Sequence, residues 1–257
     1  MKKYISIIIV AACTIVLVGS CSKKLDKIGA ASGIDGMAFI KVGQFSPNFR
    51  LVVNNRDSIN VYANGVKLNG TFLTFGSYFP STTNLYAAVP PGTLAIKITV
   101  NGVTTPDSVT LATFNKTLSA GSYYSFILTD SLLNTNESKQ IFVQDNFVLS
   151  DSLHYSIRFM HSILSDTAGK NVDVYSSRLG TNMFSNVAPG TVSAFTSQNY
   201  TLTTDTLIVR RAGGLFELAR LNAAVLARQR AYTLLYKGLP ATTTGSKARS
   251  LGIYTNQ

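Results

Sequence analysis

Two cysteines and two histidines are all that 257 residues offer in the way of thiol and imidazole, and their positions limit the available chemistry. Cys13 and Cys21 both lie near the N-terminus, so the chain beyond Cys21 has no disulfide, thiol nucleophile or cysteine-based metal site. Cys21 follows Leu17-Val18-Gly19-Ser20, where two small residues precede a thiol whose thiolate is a good nucleophile at modest pH. His154 and His161 are an odd spacing apart, which puts them on opposite faces of a continuous strand. With Glu137 and Glu217 as the glutamates, a zinc site is not expected. The chain has no Gly-x-Ser-x-Gly elbow, no Gly-x-Gly-x-x-Gly and no phosphate-binding Gly-Lys-Ser/Thr loop. Asp130 to Glu137 offers oxygen ligands but lacks the alternating carboxylates of a tight calcium loop, and it reads as a polar turn. Neither catalysis nor a cofactor is expected.

One recurring triplet carries a second kind of chemistry. Six of the ten aspartates precede Ser or Thr and then an apolar residue, where chance predicts about one. The hydroxyls concerned are Ser58, Ser108, Ser131, Ser152, Thr167 and Thr206. The triplet resembles the O-glycosylation acceptor pattern of exported Bacteroidetes proteins. It is also good turn chemistry ahead of a strand, and the two readings are compatible, since acceptors must lie on exposed turns.

The segment that carries Cys21 reads as a leader. Lys2 and Lys3 form a positive start, and Ile5 to Val18 is apolar apart from Ser6 and Thr14, an h-region length and short for a membrane span. Val18-Gly19-Ser20-Cys21 resembles the bacterial lipoprotein box. That resemblance implies a diacylglycerol on the Cys21 sulfur, cleavage before it and acylation of the new amine. Several acyl chains exceed the two signals that stable anchoring requires. Ser22 at the second mature position lacks the Asp that holds such proteins at the inner membrane, so the resemblance implies the outer membrane. Residues 1–20 are then a signal peptide and 21–36 a lipidated, lysine-bearing tether.

Charge and composition narrow the partners. The formal net charge is +11, and loss of Lys2 and Lys3 with the leader leaves about +9. For an exported chain this favours anionic head groups, lipopolysaccharide phosphates or acidic glycans over nucleic acid, although a plain solvated basic surface would give the same balance. In the C-terminal part Arg210, Arg211, Arg220, Arg228, Arg230, Lys237, Lys247 and Arg249 face Glu217 alone. Strand alternation would put Arg228 and Arg230 together and separate Arg210 from Arg211.

The elements that position these residues are strands. Twelve Tyr, fourteen Phe and no Trp, with abundant Val, Ile and Thr, favour sheet. Phe39 to Val42, Ser58 to Ala63 and Leu94 to Val100 alternate, and Asn64-Gly65 between apolar runs is a strong hairpin signal. The second half repeats the first loosely: Ile157-Arg158-Phe159 matches Ile40-Lys41-Val42, and Val172-Asp173-Val174-Tyr175 matches Ile59-Asn60-Val61-Tyr62. Thr206 to Val209 matches Thr93 to Ile96, and Ala231 to Leu234 matches Tyr123 to Phe126. The expected architecture is all-β: two tandem antiparallel immunoglobulin-like β-sandwich domains, residues 37–150 and 151–257. Leu215 to Gln229 has helical propensity, yet the repeat places a strand near Phe216 to Leu221. Tyr124, beside Tyr123, and Tyr232 read as structural tyrosines, the ring inside and the hydroxyl bonded to local backbone; a ring platform for sugars is the alternative.

Ile157-Arg158-Phe159-Met160-His161-Ser162, Val172 to Tyr175, Pro91-Gly92-Thr93, Leu118 to Tyr124 and Gln144-Asp145-Asn146 resemble an exported bacterial family known as domain of unknown function 4397. His161 stands where that family usually has Asn, and the Gly before Tyr232 is missing. The resemblance implies a lipoprotein with two immunoglobulin-like units and assigns no catalytic residue. The expectation is therefore a non-enzymatic cell-envelope lipoprotein with a binding, adhesion or scaffolding role. A fimbrial-type surface subunit and a glycan-binding accessory of a polysaccharide uptake system are the alternatives. Its partners would be the membrane through the N-terminal lipid, anionic glycan or lipopolysaccharide, and envelope proteins.

Overall fold

Side-chain alternation sorts the chain into stacked layers. The structure, a computed structural model, describes residues 34–46, 58–81, 86–100, 110–129, 139–148, 151–165, 170–242 and 244–257. Among these residues the regular structure is strand throughout.

The first half runs β1 (Ala38–Gln44), β2 (Ile59–Ala63), β3 (Val66–Lys67), β4 (Ser77–Phe79), β5 (Ala87–Val89), β6 (Gly92–Val100), β7 (Thr110–Leu118), β8 (Tyr123–Leu128) and β9 (Ile141–Gln144). One sheet has the order β4-β1-β8-β9 with β5 also on β1, and the other β3-β2-β6-β7. The second half runs β10 (His154–His161), β11 (Val172–Ser176), β12 (Thr181–Val187), β13 (Thr196–Asn199), β14 (Asp205–Arg211), β15 (Glu217–Ala224), β16 (Ala231–Lys237) and β17 (Ser250–Thr255). Its sheets have the orders β13-β10-β16-β17 and β12-β11-β14-β15. The two halves thus share one strand order.

The all-β sandwich architecture is as expected, with one correction to its pairing. β1 runs parallel to β8 and β10 parallel to β16, while the other described ladders are antiparallel. A parallel pair needs a long crossover, and here the crossover is the second sheet of the same half. Leu215 to Gln229 resolves in favour of strand: β15 pairs with β14 from Glu217 to Ala224, because a ladder along a core edge outweighs local propensity.

Burial explains the layering. Ala38, Ile40 and Val42 of β1 and Tyr124, Phe126 and Leu128 of β8 face the first core, together with Ile59, Val61 and Ile96. Tyr155, Ile157 and Phe159 of β10 and Tyr232 and Leu234 of β16 face the second, with Val172, Val174 and Val209. The opposite faces of these strands meet in a third cluster, where Phe45, Ile127 and Ile141 pack against Met160 and Leu235. β1, β8, β10 and β16 are therefore buried on both faces, whereas β7 and β15 alternate between core and solvent. Gly36–Gln257 forms one compact unit.

The turns follow the sequence. Asn64 and Gly65 both take positive φ, 48° and 81°, as a tight two-residue hairpin requires. Asn64 also accepts the Ala95 N–H through its side chain at 2.9 Å, which ties the β2–β3 turn to β6.

Candidate functional site

The repeat puts a cation at the centre of each middle strand, Lys41 on β1 and Arg158 on β10, and both face the boundary between the halves. Lys41 is in register with Ser125 on the parallel partner strand, and Arg158 with Thr233. Asp145, just past β9, and Asn256, just past β17, complete the correspondence. Their N–H groups bond the carbonyls of Tyr123 and Ala231, both at 2.7 Å. The aromatic neighbours correspond as well: Lys41 lies 5.0 Å from the Tyr86 ring centre, and Arg158 lies 4.6 Å from that of Phe195.

The two copies interlock. Arg158, 2% exposed, donates through Nη2 to Asp145 Oδ1 at 2.5 Å and through Nε to Thr233 Oγ1 at 2.9 Å. Thr233 donates to Asn256 Oδ1 at 2.7 Å, Asn256 Nδ2 to Tyr86 Oη at 2.7 Å, and Tyr86 to Asp145 Oδ2 at 2.6 Å. This closes a ring of five residues drawn from both halves. Ser125 donates to Asp145 at 2.7 Å and lies 3.2 Å from Tyr254 Oη. The carboxylate thus meets the charge and donors that a buried acid needs. Burial raises the Tyr86 pKa, and Asp145 beside it raises it further, so the hydroxyl stays a donor.

Lys41 has a different setting, because the residue matching Asp145 is the neutral Asn256. Its buried Nζ has no hydrogen-bond partner and lies among the rings of Tyr78, Tyr86 and Tyr254, at 5.2, 5.0 and 5.6 Å. Burial lowers its pKa to about 8, and Asp145 works in the opposite direction. Lys237 makes a further cation–ring contact across the boundary, 5.0 Å from Phe45.

Where this network reaches the surface it floors a groove. Phe195 carries Arg158 on one side, and an open cavity of about 390 Å³ is lined by Asn146, Val148, Asp151, His154, Phe195 and Ser197. Phe147 meets Phe195 edge-on at 6.0 Å. Asp151 accepts from Leu153 N at 2.8 Å and bonds His154 Nδ1 at 2.6 Å, and His154 holds its carboxyl below the usual carboxylate range. This acid–imidazole pair is built by a three-residue turn at the surface. One aromatic floor with amide, hydroxyl, carboxylate and imidazole groups on its rim supplies a stacking face and both hydrogen-bond senses.

The residues singled out in the sequence fall elsewhere. Cys21 lies outside the described residues, as do Ser108, Ser131 and Thr167. Ser152 is exposed on the Asp151 turn. Ser58 is half-buried just before β2, and Thr206 lies inside β14, bonded through its carbonyl to Ser177 N at 3.0 Å, and not on a turn. The Tyr124 hydroxyl accepts the Ser119 N–H at 2.9 Å and the Tyr232 hydroxyl the Ala227 N–H at 2.8 Å, five residues upstream in both halves. His154 and His161 lie at the two ends of β10, and burial lowers the His161 pKa to about 4. Several of the basic side chains have separate local partners: Arg210 lies 3.8 Å from the centre of the Tyr175 ring, and Arg220 pairs with Glu217. Phe195, His154 and Asp151 were not grouped by the sequence; the adjacent Gln144-Asp145-Asn146 was the available signal.

No family model matches the chain, so the resemblance to domain of unknown function 4397 gains no support from that comparison, and no curated protein matches either. Among solved structures the chain is similar to a Bacteroides thetaiotaomicron protein with domain of unknown function 1812, named for a suspected polysaccharide-binding role. The identity is 11% and the TM-score 0.24, over 85% of this chain and 96% of that one. A suspected adhesin from Bacteroides ovatus is similar at 9% identity and a TM-score of 0.21, over 78% and 89%.

Proposed function

We propose that this chain is a lipid-anchored protein of the cell envelope that acts by binding rather than catalysis, and that the groove floored by Phe195 receives a glycan. The groove itself carries the reading: a single ring fixed from behind by a buried guanidinium, rimmed by Asn146, Asp151, His154 and Ser197. Sugar rings offer an apolar face for stacking and hydroxyls that both donate and accept, which this set of groups complements. The outer membrane is the proposed location, through acyl chains on Cys21, and Ser152 is the described acceptor best placed for O-glycosylation.

A fimbrial-type subunit, the second reading, would need a displaceable terminal strand. β17 instead pairs with β16 over Tyr232 to Lys237, and Ala231 N bonds the Gln257 carbonyl at 3.0 Å. A glycan-array screen of the chain from Ser22 to Gln257 tests the binding reading. Retention of an oligosaccharide that Phe195→Ala weakens at least tenfold supports it; retention unchanged in Phe195→Ala, or none on a broad array, refutes it.

A further inference from the structure

The strand starts of both halves lie at one end of the Gly36–Gln257 unit. Met37 O accepts from Gly121 N at the β7–β8 turn, and Gly92 pairs with Leu118, so the β1 start, the β6 start and that turn are together. Ring contacts carry the same end across to the second half: Phe39 to Tyr123 at 4.8 Å, Tyr123 to Phe147 at 5.3 Å and Phe147 to Phe195 at 6.0 Å. Thr196, next to Phe195, pairs with Ile157 midway along β10, and Asn199 at the end of the same strand pairs with His154 at the start of β10. Lys237 over Phe45 aligns the opposite ends.

Away from the Phe195 groove, four large aliphatic side chains are exposed at this end. Val66 follows the Asn64-Gly65 turn, whereas the exposed Val148 and Leu153 lie beside the groove, at its lining and on the Asp151 turn. Leu179 is on the β11–β12 turn, Leu202 precedes β14 and Val225 follows β15. The loops of Leu179, Leu202 and Val225 converge. Tyr200 N bonds Leu153 O at 2.7 Å, Gln229 N bonds His154 O at 2.8 Å, and Arg178, Thr201, Thr203 and Ala224 line one small cavity with Asp205. Leu202 is 92% exposed and Val225 73%. In the same unit, the groove side apart, the other large apolar side chains exposed among the described residues are Phe72, Leu215 and Phe216, on other loops. Leu215 and Phe216 lie on the β14–β15 hairpin, at the far end of β14.

We propose that this end rests on an anionic lipid bilayer, with Val66, Leu179, Leu202 and Val225 inserted at the head-group boundary and the Phe195 groove left outside it. Isolated apolar points on separate loops suit a soft interface better than a shape-matched protein pocket. The charge balance favours an anionic surface: Lys67, Arg228 and Arg230 are exposed among these loops and Asp205 is buried under Ser176 and Arg178, while the exposed Asp151, bonded to His154, lies on the groove side. The first residue of the unit, Gly36, precedes Met37 at this same end. The surface depends on the envelope location proposed above but not on acylation of Cys21.

The test uses the chain from Ser22 to Gln257, which carries no acyl group and, with Cys13 and Cys21 gone, no cysteine. It should co-sediment with phosphatidylglycerol-containing vesicles at least tenfold more tightly than with phosphatidylcholine alone, and less so in high salt. Val66→Asp/Leu202→Asp/Val225→Asp should lower that binding at least tenfold, while Leu215→Asp/Phe216→Asp leaves it unchanged. A polarity-sensitive dye on Leu202→Cys should shift to the blue on adding vesicles, and on Phe216→Cys it should not. No sedimentation with either vesicle, equal loss in both sets of variants, a blue shift at both sites, or lipid-independent self-association through Leu202 would overturn the surface. Because the tested chain is unacylated, those results leave the anchor at Cys21 to be decided by lipid labelling.

Discussion

Arg158 of β10 crosses the boundary between the two halves and donates to Asp145, beyond the end of β9, with neither side chain open to solvent. The residue that matches Asp145 in the second half is Asn256, so Lys41 and Arg158 share one acid between them. Removing that acid strands the guanidinium. Asp145→Asn should cost about 3–5 kcal/mol of unfolding free energy, as breaking a buried pair does. Asp145→Leu/Arg158→Met should be more stable than Asp145→Asn, because the guanidinium is removed together with its acid. Urea unfolding of the three proteins measures the order; a double variant less stable than Asp145→Asn would contradict it.

The amine of Lys41 and the imidazole of His161 both make stability rise with pH, in different windows. Each has a folded pKa below its unfolded value, about 8 against 10.5 for Lys41 and about 4 against 6.5 for His161. Between those values the unfolded chain binds more protons, so folding strengthens as pH increases. Each step is worth about 3 kcal/mol at full extent. Denaturant midpoints from pH 4 to 10 should climb in two stages. Lys41→Met should flatten the stage above pH 8 and His161→Asn the stage below 6.5; unchanged profiles would contradict the burial argument.

Tyr124 and Tyr232 each accept a backbone N–H from five residues upstream. Replacing either with Phe keeps the ring and loses the acceptor, at about 1 kcal/mol each. The sites belong to different cores, so the double variant should lose the sum. Thermal unfolding reads this directly, and a loss well beyond the sum would show that the hydroxyls are coupled.

Ser152 follows Asp151 on an exposed turn, whereas Thr206 lies within a strand. If the triplets are acceptors, glycan should be found on Ser152 and be absent from Thr206. Intact-mass and peptide mapping of protein from the native host decides this; a mass equal to peptide plus lipid removes the modification altogether.

The parts of this architecture written locally were legible in the residues. Alternation marked β1, β2 and β6, Asn64-Gly65 marked its turn, and the internal repeat overrode the helical propensity of the β15 segment. The parallel pairing of β1 with β8 was not legible, because partners so far apart in sequence leave no local signal. The repeat aligned Lys41 with Arg158, but nothing in a lone charged residue says that it is buried. Two-sided burial became visible only when the outer faces of two sheets met. The groove was missed for the same reason: Phe195 and His154 are far apart in the chain, and β13 brings them together across β10.

Attachment of lipid to Cys21 is the claim on which the proposed anchoring at the outer membrane rests, and metabolic labelling tests it most directly. In cells fed radiolabelled palmitate, the wild-type protein should carry label and fractionate with the outer membrane, and Cys21→Ala should do neither. An unlabelled wild-type protein, or equal label on the two, would contradict the account.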